Sequence, residues 1–185
     1  MGFIRRYDSV IYGNYKRAAL LYGASIGLVM ALYMLVCFLS AAPILSPENY
    51  GTDALLLIGI FFFSFRYRKK LPDGRISLKE LLLLGICTGI VASIVYALLL
   101  WLLLVAFFPD WVLAFQQARI NLMQSDSIDV ETAKNILLIK NYGAADWAFI
   151  GGFRSFVMSI IIALFSSIVF ATEKGEVRQK KIKKE

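Results

Sequence analysis

Three stretches of this 185-residue chain, 18–42, 81–108 and 147–171, are almost free of charge. At 1.5 Å per helical residue each is long enough to cross the roughly 30 Å hydrocarbon core of a bilayer. Inside that core a backbone must satisfy its own hydrogen bonds, and an uninterrupted apolar run does so as a helix. The runs predict an all-α integral membrane protein. A composition of 59% hydrophobic against 18% charged residues argues the same way, because a water-soluble domain needs a polar skin.

A fourth crossing is predicted between the first two long runs. The uncharged core at 54–65 is only about a dozen residues, short enough for a re-entrant or interfacial segment. Charge decides between the readings, because short cytoplasmic segments collect Lys and Arg. If a helix over 50–67 spans, one side holds Arg5, Arg6, Lys16, Arg17, Arg66, Arg68, Lys69, Lys70, Arg75, Lys79, Lys174, Arg178, Lys180, Lys181, Lys183 and Lys184. The other side holds only Arg119, Lys134 and Lys140. A three-span topology puts one of the dense clusters outside. The expected architecture is therefore a four-helix transmembrane bundle over 1–172, with spans at 18–42, 50–67, 81–108 and 147–171 and both termini cytoplasmic. A basic cytoplasmic tail follows at 173–185. The first run is too long for a signal-peptide core, and Pro43 directly after Ser40-Ala41-Ala42 opposes cleavage, so it reads as an uncleaved span.

The connections carry local signals. Pro72-Asp73-Gly74 is a turn, with φ fixed at Pro, an acceptor at Asp and conformational freedom at Gly. Ser77-Leu78-Lys79-Glu80 has the pattern of a capping box opening the third helix. All four prolines (Pro43, Pro47, Pro72, Pro109) fall in connections, leaving the spans unkinked. The extracytoplasmic segment 109–146 reads as amphipathic and helical: Trp111, Phe115, Ala118 and Leu122 recur on one face, and a second helix is expected from Asp129. It either lies on the membrane surface or lids the bundle, with a ligand-binding cap as the alternative reading.

Inside the spans, Gly23-x-x-x-Gly27 and Gly85-x-x-x-Gly89 form flat stripes on which another helix backbone can approach. Both belong to spans leaving the cytoplasm, so spans one and three are expected to pack together there. A homodimer face and a duplicated two-helix hairpin are the alternatives. Arg154, after Gly151 and Gly152 near the outer start of the fourth span, is the one Asp, Glu, Lys or Arg inside the long runs. Either it snorkels to the headgroups as an interfacial anchor, with Asp146 two helical turns away, or it serves a solute or a gate. With no acidic partner deep in any span, a proton- or sodium-coupled carrier lacks its machinery.

Catalytic vocabulary is thin. There is no histidine, no nucleophile paired with a base, no metal cluster and no phosphate loop, and Ser166 and Ser167 read as helix-bonded hydroxyls. No cofactor is expected. Cys37 and Cys87 sit at opposite ends of parallel spans, separated by roughly 20 Å in depth, beyond disulfide reach. The formal net charge of +7 lies next to membrane spans, so the expected partners are anionic headgroups, contacted by Arg66, Arg68, Lys69, Lys70, Lys180, Lys181, Lys183 and Lys184, and not nucleic acid. The functional expectation is a non-enzymatic protein acting by helix association and lipid contact, with a small oligomeric transporter or channel as the alternative.

Gly23 and Gly27, Lys69 and Lys70, Gly74-Arg75-Ile76-Ser77, Gly85 and Gly89, Tyr96 and Pro109 together resemble a bacterial family, domain of unknown function 4199. The likeness covers nearly the whole chain. It implies a small four-span protein of a bacterial cytoplasmic (inner) membrane and supplies no mechanism or site residues.

Overall fold

The computed structural model describes residues 15–40, 50–71, 76–124, 139 and 141–171. The expected turn at Pro72-Asp73-Gly74, the second amphipathic helix from Asp129 and the tail lysines Lys180, Lys181, Lys183 and Lys184 lie outside them. Among the described residues there are five α-helices and no strand: α1 (Tyr15–Leu39), α2 (Tyr50–Lys70), α3 (Leu78–Ala106), α4 (Asp110–Gln124) and α5 (Ala144–Phe170).

Three of these, α1, α3 and α5, are long and apolar enough to cross a membrane. The fourth expected crossing, α2, does not reach that standard. Asp53 near its start and Arg66, Arg68, Lys69 and Lys70 at its end leave a shorter apolar centre. It is nonetheless a continuous helix, about 30 Å long at 1.5 Å per residue.

The helices alternate in direction. α3 occupies the middle, packed parallel to α1 on one side and antiparallel to α5 on the other, while α2 closes the bundle by contacting α1 and α5. Unlike a water-soluble protein, the bundle is apolar on its outside as well as in its core, and small hydroxyl side chains are buried between the helices. Leu28, Leu32, Val36, Ile94, Leu98, Phe149, Phe165 and Ile168 face outward, whereas Thr88, Ser155, Ser159, Ser166 and Ser167 are buried. Lipid tails are as apolar as leucine, so the interior gains by close backbone approach and hydrogen bonding. Three of the buried hydroxyls find partners within their own helix: Ser159 donates to the Phe156 carbonyl (2.7 Å), Ser166 to that of Ala163 (3.2 Å) and Ser167 to that of Leu164 (2.8 Å).

The helix ends follow from local chemistry. The Ser77 amide donates to the Glu80 carboxylate (3.1 Å) and the Glu80 amide donates to the Ser77 hydroxyl (3.3 Å). This reciprocal pair satisfies two donors that an α-helix otherwise leaves open at its start. At the start of α5 the Gly143 amide donates to Asp146 (2.8 Å).

At the opposite end from Ser77, α4 lids the bundle. Phe115 is fully buried and its ring meets those of Phe38, Trp111 and Trp147 at centroid distances of 6.2, 6.1 and 5.7 Å. Gln116 Nε2 donates to the Tyr142 carbonyl (2.7 Å), tying the lid to the segment entering α5. Of the two arrangements the sequence allowed for the amphipathic segment, α4 takes the lid. Both cysteines are free thiols, Cys37 buried and Cys87 half-buried.

Candidate functional site

The glycine stripes fix how closely the central helices approach, and they do so in two different directions. A Cβ on Gly23 would stand 2.6 Å from the Thr88 carbonyl oxygen, and one on Gly27 would stand 2.6 Å from that of Ala92, so both glycines lie against the α3 backbone. Gly85 and Gly89, in contrast, face α5. A Cβ on Gly85 would meet Ala163 Cβ at 2.7 Å, and one on Gly89 would collide with the Ser159 side chain. The two stripes therefore do not meet each other. Spans one and three do pack together, but the α3 glycines use the opposite face of their helix to receive α5. A helix carrying apolar neighbours all round gives no period from which to read which side each stripe faces.

Arg154 is where the sequence reading departs furthest from the structure. Its Nη2 donates to Asp53 Oδ2 at 2.7 Å, with only 28% and 13% of the two side chains exposed. Asp146, the partner expected from proximity in sequence, is occupied instead with the Gly143 amide. Arg154 lies about 15 Å along α5 from its start at Ala144. Asp53 is in the first turn of α2, so α2 begins roughly 10 Å deeper in the bundle than α5 does. The guanidinium does not snorkel alone to a surface. It is met inside the bundle by a carboxylate, which also sits favourably at the positive end of the α2 dipole.

All four long helices contribute to the surroundings of this pair. The Arg154 guanidinium carbon is 5.6 Å from the centroid of the exposed Tyr50 ring, a cation–π distance. Thr52 is buried and shares a side-chain hydrogen bond with Tyr96, which is fully buried on α3. From α1, the Tyr33 ring lies against the backbone of Gly51, where any Cβ would collide with it. Intramembrane ionisable groups are costly unless paired or hydrated, so the pairing marks this as the chain's functional-site candidate. As it stands the site is closed and charge-neutral. It can hold α2 against α5, and it can expose a guanidinium only by separating from Asp53.

The basic residues form a second feature at the other end of the bundle. Arg66, Arg68, Lys69 and Lys70 occupy the last turns of α2, with Arg66 and Lys69 exposed, and Lys69 Nζ rests 4.5 Å from the centroid of Phe65. Lys16 and Arg17 at the start of α1 and Lys79 at the start of α3 are exposed on the same end.

Sequence reasoning missed Asp53, which lies inside the expected span 50–67 but outside its uncharged core at 54–65. An acid in the first turn of an apolar helix was the available signal. A partner 101 residues away was beyond any local pattern.

Long apolar helices with small residues at their contacts and an outward-facing greasy surface are those of a helical multi-pass membrane protein. More particularly, residues 21–172 match the family described as "Protein of unknown function (DUF4199)", and the chain belongs to that family. No curated protein and no solved structure matched the chain.

Proposed function

We propose that this chain is a four-span protein of a bacterial cytoplasmic membrane, with both termini cytoplasmic, that acts by binding anionic lipid and not by catalysis. The observation that carries the reading is the separation of charge along the bundle. Among the described residues, one end presents Lys16, Arg17, Arg66, Arg68, Lys69, Lys70 and Lys79 against Glu80. The other end and the lid carry Asp110 and Asp146 against Arg119, while Asp53 is neutralised by Arg154 inside the bundle. Such asymmetry is expected when the basic end remains where the protein was made, and it supports reading α2 as a fourth span. Basic side chains at an anionic surface each contribute about 1 kcal/mol, and the sequence assigns Lys180, Lys181, Lys183 and Lys184 to the same side. The glycine stripes are used within the chain, so association with a second copy requires another face.

The experiment is lipid retention. Full-length protein extracted into nanodiscs from an equal mixture of phosphatidylglycerol and phosphatidylcholine should enrich the anionic lipid. Replacing Arg66, Arg68, Lys69 and Lys70 with Gln should remove most of that enrichment. Equal lipid composition around both proteins would count decisively against the reading.

A transporter or channel is the second reading, and the Arg154–Asp53 pair is the observation that favours it. A separable intramembrane ion pair is a natural gate or anion station. Solute flux in proteoliposomes that changes on Arg154→Ala supports this reading, and absence of flux for folded protein with any anion tried opposes it.

A further inference from the structure

On the α3–α5 flank lies an apolar groove of about 380 Å³ that opens sideways from the bundle, within the size range of small-molecule sites. Gly152 and Ala97 form its floor, where a Cβ on Gly152 would stand 2.7 Å from Ala97 Cβ, so the two helices meet there almost backbone to backbone. Ile94 and Phe153 stand at its sides and are more than half exposed, and the rings of Phe149 and Phe153 are parallel at 6.0 Å. One polar side chain lines it. Ser93 is 5% exposed, and its hydroxyl, buried below the groove surface, has no hydrogen-bond partner among the described residues, in contrast to Ser159, Ser166 and Ser167, which bond to their own helices.

The depth of Ser93 narrows what could satisfy it. It lies about 22 Å from the start of α3 and about 20 Å from its end, and so near mid-bilayer. The ester carbonyls of a phospholipid sit at the interface, and its acyl chains carry nothing to accept a hydrogen bond at this depth. A molecule dissolved wholly in the hydrocarbon layer can bring an oxygen there. Aromatic walls favour a flat ring, and the serine hydroxyl favours a carbonyl acceptor on it.

We infer that this groove binds the carbonyl-bearing ring of an isoprenoid quinone, entering from the bilayer, with Ser93 turning about its Cα–Cβ bond to donate to a ring carbonyl. The inference concerns binding alone and stands apart from the lipid-headgroup reading, since it uses neither the basic end nor the Arg154–Asp53 pair.

The test uses full-length protein in nanodiscs and decylubiquinone as the probe, with dodecylbenzene as a ring-and-chain competitor lacking carbonyls. Saturable decylubiquinone binding is expected, weakened roughly fivefold by Ser93→Ala, in line with loss of one hydrogen bond. Ile94→Trp, which fills the mouth from a lipid-facing position, should abolish it. Dodecylbenzene should compete poorly. Thermal melts of both variants identify any that fail to fold, and the two substitutions act at different points, so one survives as a test if the other does not. The inference is overturned by an absence of saturable binding, by binding indifferent to both substitutions, or by equal competition from dodecylbenzene. It is overturned equally if Ile94→Trp changes only the oligomeric state, which would make the groove a contact with a second copy.

Discussion

Arg154 on α5 and Asp53 on α2 form an ion pair of 2.7 Å inside the bundle, across 101 residues of sequence. The pair explains how the least apolar of the long helices is kept with the others. α2 carries fewer buried side chains than its neighbours, namely Thr52, Leu56, Ile60, Ser64 and Tyr67. A charge-assisted bond near its start supplies what apolar packing alone does not.

Removing one partner of a largely buried pair leaves the other charge uncompensated, at a cost of about 3 kcal/mol. Asp53→Asn and Arg154→Gln should each lower stability by roughly that amount in denaturant titrations in mixed micelles. The double variant should lose less than the sum of the two, because no unpaired charge then remains. Additive losses would show that the two side chains do not depend on each other.

Glycine substitutions should rank by what their Cβ meets. Gly27→Ala drives a methyl against the Ala92 carbonyl of α3, which cannot move without the helix, and should cost about 2 kcal/mol. Gly59→Ala meets only side-chain atoms of Ile26, Cγ1 and Cδ1 first, which can yield more readily than a helix backbone, and should cost less. Gly143→Ala meets only Asp146 Oδ2 at 3.8 Å, an ordinary contact, and should be nearly neutral. Thermal stability of the three purified variants checks the order.

The helix-opening box at Ser77 gives a local prediction. Ser77→Ala removes an acceptor for the Glu80 amide and should cost about 1 kcal/mol, while Glu80→Gln keeps the reciprocal bond and should cost less. Hydrogen exchange at the first-turn amides of α3 reads the difference directly, with faster exchange expected for Ser77→Ala alone.

The lid rests on Phe115. Truncation to Ala removes a fully buried ring from contact with Phe38, Trp111 and Trp147 and should cost about 3 kcal/mol, loosening α4 before the spans separate. Tryptophan emission should shift to the red at a denaturant concentration at which helicity is still intact.

How much of this was legible beforehand depends on the range of the signal. Uncharged length placed the apolar helices within a few residues of where they lie, and the Ser77–Glu80 box was read from four consecutive residues because capping is local. Trp111 and Phe115 were recognised as one apolar face from their spacing, although only the structure shows that this face closes over the bundle. The partner of Arg154 was not legible, since Asp146 is closer in sequence while Asp53 is closer in space. Nor was the direction of Gly85 and Gly89, because helix faces in lipid are distinguished by size more than by polarity, and α3 carries small residues on two sides. α2 remains the element for which composition and architecture point in different directions.

Labelling of single cysteines flanking α2 tests the four-span topology most directly. In a background with Cys37 and Cys87 replaced by Ala, Ser40→Cys lies just past the end of α1 and Lys70→Cys at the end of α2. With α2 across the membrane, a membrane-impermeant maleimide applied to intact cells labels position 40 and reaches position 70 only after permeabilisation. Labelling of both positions from the same side would mean that α2 does not cross, and would remove the basis for a cytoplasmic basic face.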